Sequence, residues 1–107
     1  MLVYEVNLAV DDEVAEAFAA WLPGHVAELL ALPGFVSAEI FRIDEPAPPA
    51  GEAALSVRYR LRDRAALDAY LRDHAERLRA DGTARFGSRF RANRRVLAPA
   101  GMAPSRM

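Results

Sequence analysis

The chain of 107 residues is long enough for one domain with one core and too short for two. It has no cysteine, which removes disulfides and thiolate metal sites, and no apolar run long enough to span a bilayer. The formal net charge is −1, yet residues 1–57 carry one arginine against ten acids and residues 58–107 carry thirteen arginines against five. All fourteen cations are arginine. That bias reads first as the codon usage of a GC-rich genome and second as an anion-binding surface, since guanidinium forks grip carboxylate and phosphate. The start, Met1-Leu2-Val3-Tyr4-Glu5, lacks the basic residues and cleavage site of a signal peptide, so a bacterial cytoplasmic protein is expected.

Leu2 to Val10 alternates as a strand, with Tyr4, Val6, Leu8 and Val10 on one face and Val3, Glu5, Asn7 and Ala9 on the other. Asp11, Asp12, Glu13 and Glu16 then place negative charge at a helix start, where the backbone dipole favours it. A first helix is predicted from about Glu13 to Leu32, with the stripe Val14, Phe18, Trp21, Leu22, Val26 and Leu29. Pro23-Gly24 should kink or break it, and Pro33-Gly34 should end it. Phe35 to Ile43 is predicted as the second strand. Val36, Ala38 and Ile40 share one face, and Phe35, Phe41 and Ile43 share the other. Asp44 to Gly51 is a proline-rich loop. Ala53 to Leu61 is the third strand, alternating Leu55, Val57, Tyr59 and Leu61 with Ala54, Ser56, Arg58 and Arg60. Asp63 is placed to cap a second helix from about Arg64 to Ala80, with stripe Leu67, Tyr70, Leu71 and Leu78, closed by Gly82. Thr83 to Phe86 adds a short turn, and Ser88 to Leu97 is the fourth strand. Residues 98–107 read as a flexible tail outside the single domain at 1–97.

The order β-α-β-β-α-β, with right-handed crossovers, puts two helices on one face of a four-stranded antiparallel sheet: the α+β, ferredoxin-like arrangement. The opposite face would carry Glu5, Asn7, Ser56, Arg58, Arg60, Arg91, Asn93 and Arg95, with Phe35 or Phe41. It is too mixed for a core and too patterned for ordinary surface. Packing two such sheets face to face in a homodimer is the economical solution.

Trp21 with His25-Val26, Leu29-Leu30, Pro33-Gly34-Phe35 and Ala38 resembles the first half of a bacterial family, domain of unknown function 4286. Tyr59-Arg60, Ala66-Leu67-Asp68-Ala69-Tyr70, Ala75, Arg77-Leu78-Arg79, Asp81-Gly82, Arg85-Phe86-Gly87 and Arg89-Phe90 resemble its second half more closely. The resemblance runs from about Leu2 to Leu97. It implies membership of the dimeric α+β barrel group. That group holds cofactor-independent monooxygenases, haem-degrading enzymes, polyketide-modifying enzymes and proteins of no known activity. It transfers no established catalytic residue.

The two histidines are the leading catalytic candidates. On a helical wheel His25 sits within the first stripe and His74 between Leu67, Leu71 and Leu78, so both should face the sheet at similar heights and share a pocket. A neutral imidazole there would serve as general base; the plainer role is one hydrogen bond and space filling. No carboxylate is seen to accompany them, so no metal site is expected. The resemblance to haem-degrading relatives would assign Asn7 and His74 to haem, but the strand tryptophan of that pattern is absent, and no cofactor is expected. Trp21, Asn7, Arg58 and Tyr59 are candidate ligand contacts. Arg58, Arg60, Arg89, Arg91, Arg94 and Arg95 would either hold an anion or, more plainly, bridge to Glu5 and Glu39. An RNA-recognition reading fails because Ser56-Val57-Arg58-Tyr59-Arg60-Leu61 lacks the aromatic third-strand signature, so neither nucleic acid nor membrane is an expected partner. Two functions remain. One is a dimeric module that binds a small ligand or a protein partner. The other is a monooxygenase- or isomerase-like enzyme acting on an aromatic or polyketide-like substrate. A cavity beside His25, Trp21 and His74 with an unsatisfied imidazole favours the enzyme; dense packing there favours the module.

Overall fold

β1 (Leu2–Asp11) is the spine of the sheet, paired antiparallel with β3 (Glu52–Leu61) on one side and β4 (Phe90–Leu97) on the other. β2 (Phe35–Arg42) adds to the outer edge of β3, giving the order β2-β3-β1-β4. The computed structural model describes residues 1–104. Helices α1 (Asp12–Leu30), α2 (Arg64–Asp73) and α3 (Ala75–Phe86) supply the rest of the core, and one 3-10 turn (Gly87–Arg89) leads into β4. This is the ferredoxin-like βαββαβ arrangement, with the second helix in two pieces. Residues 98–104 form no regular element, and the end of the expected tail lies outside the described residues.

The β1 alternation holds. Tyr4, Leu8 and Val10 are buried beneath the helices with Phe18, Leu22, Val26 and Leu29 of α1. Glu5 and Asn7 lie on the opposite face, opposite Arg58 and Ser56 of β3 and Arg95 and Asn93 of β4. Asp63 caps α2 as expected, its Oδ1 accepting the Ala66 backbone N–H at 2.9 Å.

Three expectations need correction. First, α1 runs unbroken through Pro23-Gly24. Proline removes one helical hydrogen bond, at a cost of about 3 kcal/mol in an ideal interior. Here Ala19, Pro23 and Gly24 all face solvent, so water can take up the freed carbonyl while the buried stripe stays continuous. Second, the strand β2 carries a bulge. Phe35 stands opposite Leu61 and Ser37 opposite Arg60, leaving Val36 as the extra residue. The bulge switches Phe35 to the helix side, where it meets Tyr59 and Tyr70 edge-on, and leaves Val36 exposed. Third, the second helix breaks at His74, whose φ of −132° and ψ of −26° are not helical. Buried positions recur three or four apart within each piece: Leu67 and Tyr70, then Ala75, Leu78 and Gly82. Across the break, from Tyr70 to Ala75, the step is five. The turn that accommodates it sends Leu71 outward. Gly82 therefore lies inside α3 rather than closing it, and Gly87, with φ +56°, ends it.

Gly34 joins α1 to β2 with φ +84°, and a Cβ there would overlap Ala66 Cβ of α2. Replacing Gly34 with alanine should therefore destabilise the fold by about 2 kcal/mol or more, from the left-handed backbone and the overlap together. Thermal denaturation checks this: the melting temperature should fall by several degrees, and an unchanged value contradicts the contact.

Candidate functional site

A cavity of about 320 Å³ lies between the helices and the sheet, lined from β1, α1, β3, α2, α3 and β4. Two aromatic clusters border it. In one, Phe18 packs against Trp21, Phe86 and Phe90 with ring centroids 5.0–5.4 Å apart. In the other, Tyr4 lies 6.0 Å from Tyr59 and 5.8 Å from Tyr70. Such tilted contacts suit the ring quadrupole and hold the walls in place. The void exists partly because α3 carries glycine at its closest approach. A Cβ on Gly82 would come 3.1 Å from Phe90 Cζ and 3.2 Å from Trp21 Cη2.

His25 lines this cavity. It lies one helical turn after Trp21, so the rings stack at 4.6 Å with 24° between planes. The imidazole is half-buried, and its Nδ1 is enclosed with no hydrogen-bond partner. Burial lowers its pKa from the usual 6.5, while the nearby Glu28 and Asp81 carboxylates oppose that shift. These two acids correct the expectation that no carboxylate accompanies the histidines. Ligand atoms of His25, Glu28 and Asp81 lie within 4.8 Å of one another, the reach of one divalent ion, although both carboxylates are exposed.

His74 is elsewhere. It marks the α2–α3 break, its Nδ1 meets the Arg77 guanidinium at 3.0 Å, and it is not part of the cavity wall. The expected pairing of two imidazoles in one pocket fails because the break rotates His74 out of the stripe. Trp21 and Tyr59 do line the cavity. Asn7 and Arg58 lie on the opposite face of the sheet, so the candidate ligand contacts divide between two sites. The pairing of Asn7 with His74 at one haem fails for the same reason.

That opposite face centres on Glu5. Its carboxylate accepts from Arg95 Nε at 2.7 Å and from Asn7 at 2.8 Å, and Arg58 Nε stands 3.2 Å from Oε2 without hydrogen-bond alignment. The hydrogen bond from Arg95 leads in holding its pKa down to about 2, so it is ionised throughout the neutral range. Asn7 in turn accepts from Ser56 at 2.8 Å. Arg60 bridges to Glu39 at 2.7 Å, and Arg91 to Asp11 and Glu52 at 3.0 and 3.4 Å. Bridging to Glu5 and Glu39 is thus seen for Arg58, Arg60 and Arg95, while Arg91 reaches Asp11 and Glu52 instead. Arg94 departs from the group. It pairs in register with Val6, faces the helices and lines the cavity. Alternation along β4 carried that signal.

Residues 1–100 match the family described as "Domain of unknown function (DUF4286)". The chain belongs to that family. No curated protein matches it in sequence. Among solved structures, this DUF4286 chain is similar to SnoaB, a cofactor-independent oxygenase from Streptomyces nogalater. That match has TM-score 0.68 and 14% identity, covering 97% of this chain and 98% of that one. A putative antibiotic biosynthesis monooxygenase from Deinococcus radiodurans gives TM-score 0.69 and 15% identity over 100% and 99% of the two chains. Rv0793 from Mycobacterium tuberculosis gives 0.61 and 23% over 97% and 100%. At these identities the likeness is one of fold. No helix among the described residues is long and apolar enough to cross a membrane.

The His25 environment sets a titration. Followed by NMR, its imidazole should titrate with a midpoint below 6.5. A folded-state pKa below the unfolded value means its contribution to stability is complete above pH 6.5 and is lost as pH falls below it. A midpoint at or above 6.5 contradicts the enclosed, unpartnered Nδ1.

Proposed function

We propose that this DUF4286 chain is a dimeric binding module that holds a small aromatic ligand in the cavity between α1, α3 and the sheet. The cavity itself carries the reading. An engineered void of about 150 Å³ lined by apolar side chains admits benzene, so about 320 Å³ walled by Phe18, Trp21, Phe90, Tyr59 and Tyr70 suits two fused rings. Calorimetry with 2-naphthol is the direct test. Binding should be measurable for the natural chain and lost when Ala92, whose side chain lines the cavity from β4, becomes isoleucine. Absence of binding by the natural chain would refute the reading.

The open sheet face supports the dimer. It combines exposed Phe41 with the Glu5 network, and it has a depression of about 350 Å³ lined by Phe41, Ile43, Ser56 and the Glu5 ion cluster. A sheet covered by helices on one side only gains by burying its other apolar residues. Sedimentation should give a dimer for the natural chain and a monomer for Phe41→Glu. A monomeric natural chain overturns this part.

One observation favours a second reading, in which the module is an enzyme. His25 lines the cavity with a depressed pKa that favours its neutral form, as a general base would. That reading requires the protein to speed exchange of the acidic C–H of 2-tetralone in D2O, measured by NMR, and His25→Gln to abolish the effect. No acceleration by the natural chain removes it.

A further inference from the structure

Among the described residues, nine arginines have a carboxylate oxygen within 4 Å: Arg42, Arg58, Arg60, Arg62, Arg64, Arg72, Arg89, Arg91 and Arg95. Four do not: Arg77, Arg79, Arg85 and Arg94. Two of those four, Arg79 from α3 and Arg94 from β4, line the same cavity. The arginines of the open sheet face, Arg58, Arg60, Arg91 and Arg95, thus stand against carboxylates, whereas Arg79 and Arg94, exposed to solvent at the cavity's rim, do not.

The groups around them are donors. Arg79 donates to the Tyr4 hydroxyl at 3.0 Å, which leaves the Tyr4 O–H free to donate in its turn. Burial raises the pKa of Tyr59 and Tyr70, so both hydroxyls keep their protons. Arg79 and Arg94 line the same cavity as Tyr70, and their positive charges both reach its hydroxyl. Among the described residues no carboxylate lines the cavity. A set of two permanent cations and three phenolic O–H groups, with aromatic surface beside it, is complementary to a planar anion carried on a ring system.

We propose that the cavity takes an aromatic carboxylate, its rings against Phe18, Trp21 and Phe90 and its carboxylate on Arg79 and Arg94. This rests on the cavity being a ligand site and adds the charge and class of the ligand.

The experiment compares 2-naphthoate with 2-naphthol, which has the same rings and is neutral at pH 7. In calorimetry on the natural chain, naphthoate should bind about tenfold or more tightly, as expected of a charge-assisted contact to two guanidinium groups. Arg94→Gln and Arg79→Gln should each remove most of that preference, weakening naphthoate far more than naphthol, since only the anion needs the guanidinium. Among the described residues Arg94 makes no hydrogen bond or ion pair, so its variant separates ligand recognition from the Arg79–Tyr4 hydrogen bond. Equal binding of the two probes by the natural chain, or a preference that survives both substitutions, overturns the assignment of the anion while the cavity reading stands. Failure of both probes to bind overturns the two together.

Discussion

The Glu5 carboxylate decides which face of β1 looks at the helices. It is buried at 1% exposure, held by Arg95 from one neighbouring strand and approached by Arg58 from the other. Side chains alternate along a strand, so a register slip of one residue would turn Glu5 into the core and Tyr4, Leu8 and Val10 out of it. An ionised carboxylate without partners in apolar surroundings costs several kcal/mol. Everything else follows from that choice. Tyr4 and the leucines of β1 face the helices, β3 and β4 align by their own arginines, and the cavity opens on the side that Glu5 does not occupy.

The two faces of the sheet consequently carry different chemistry. On the open face, charges are matched pair by pair, and the apolar residue Phe41 lies beside Arg58, whose guanidinium carbon is 5.8 Å from its ring centroid. On the helical side, rings dominate and positive charge is left without a carboxylate. This division explains why Asn7 and Arg58 cannot serve the same site as Trp21, Tyr59 and His25. It also limits what fold likeness can say. The three solved structures compared share the frame at 14–23% identity, and a shared frame does not fix a site's chemistry.

Much of the fold was legible because its signals are periodic. The strict alternation of β1 and β3, the Asp63 cap and the acidic start of α1 each point to one local structure, and they agree. What was missed were departures of one residue. The bulge at Val36 cannot be seen in Phe35–Ile43, because both parities of that segment are apolar. The break at His74 hid behind Leu71, an apolar residue that completes a plausible stripe and is in fact exposed. Ala75 and Gly82, which are buried, are small enough to be overlooked on a wheel weighted by size. The histidine pair is separated by that same break, whereas Trp21 and His25 lie on one wall of the cavity because α1 stays continuous. The Glu28–Asp81 carboxylates beside His25 come from two helices, and only the packing of α1 on α3 joins them.

The proposed ligand site lies on the helical side of the sheet. Its sharpest test is the change in amide and side-chain NMR shifts of the natural chain as 2-naphthoate is added. The Trp21 indole N–H and the amides of His25, Gly82 and Ala92 should shift, while Asn7, Ser56 and Asn93 stay in place. Shifts concentrated on Asn7, Ser56 and Asn93, with Trp21 and Gly82 unmoved, would contradict it.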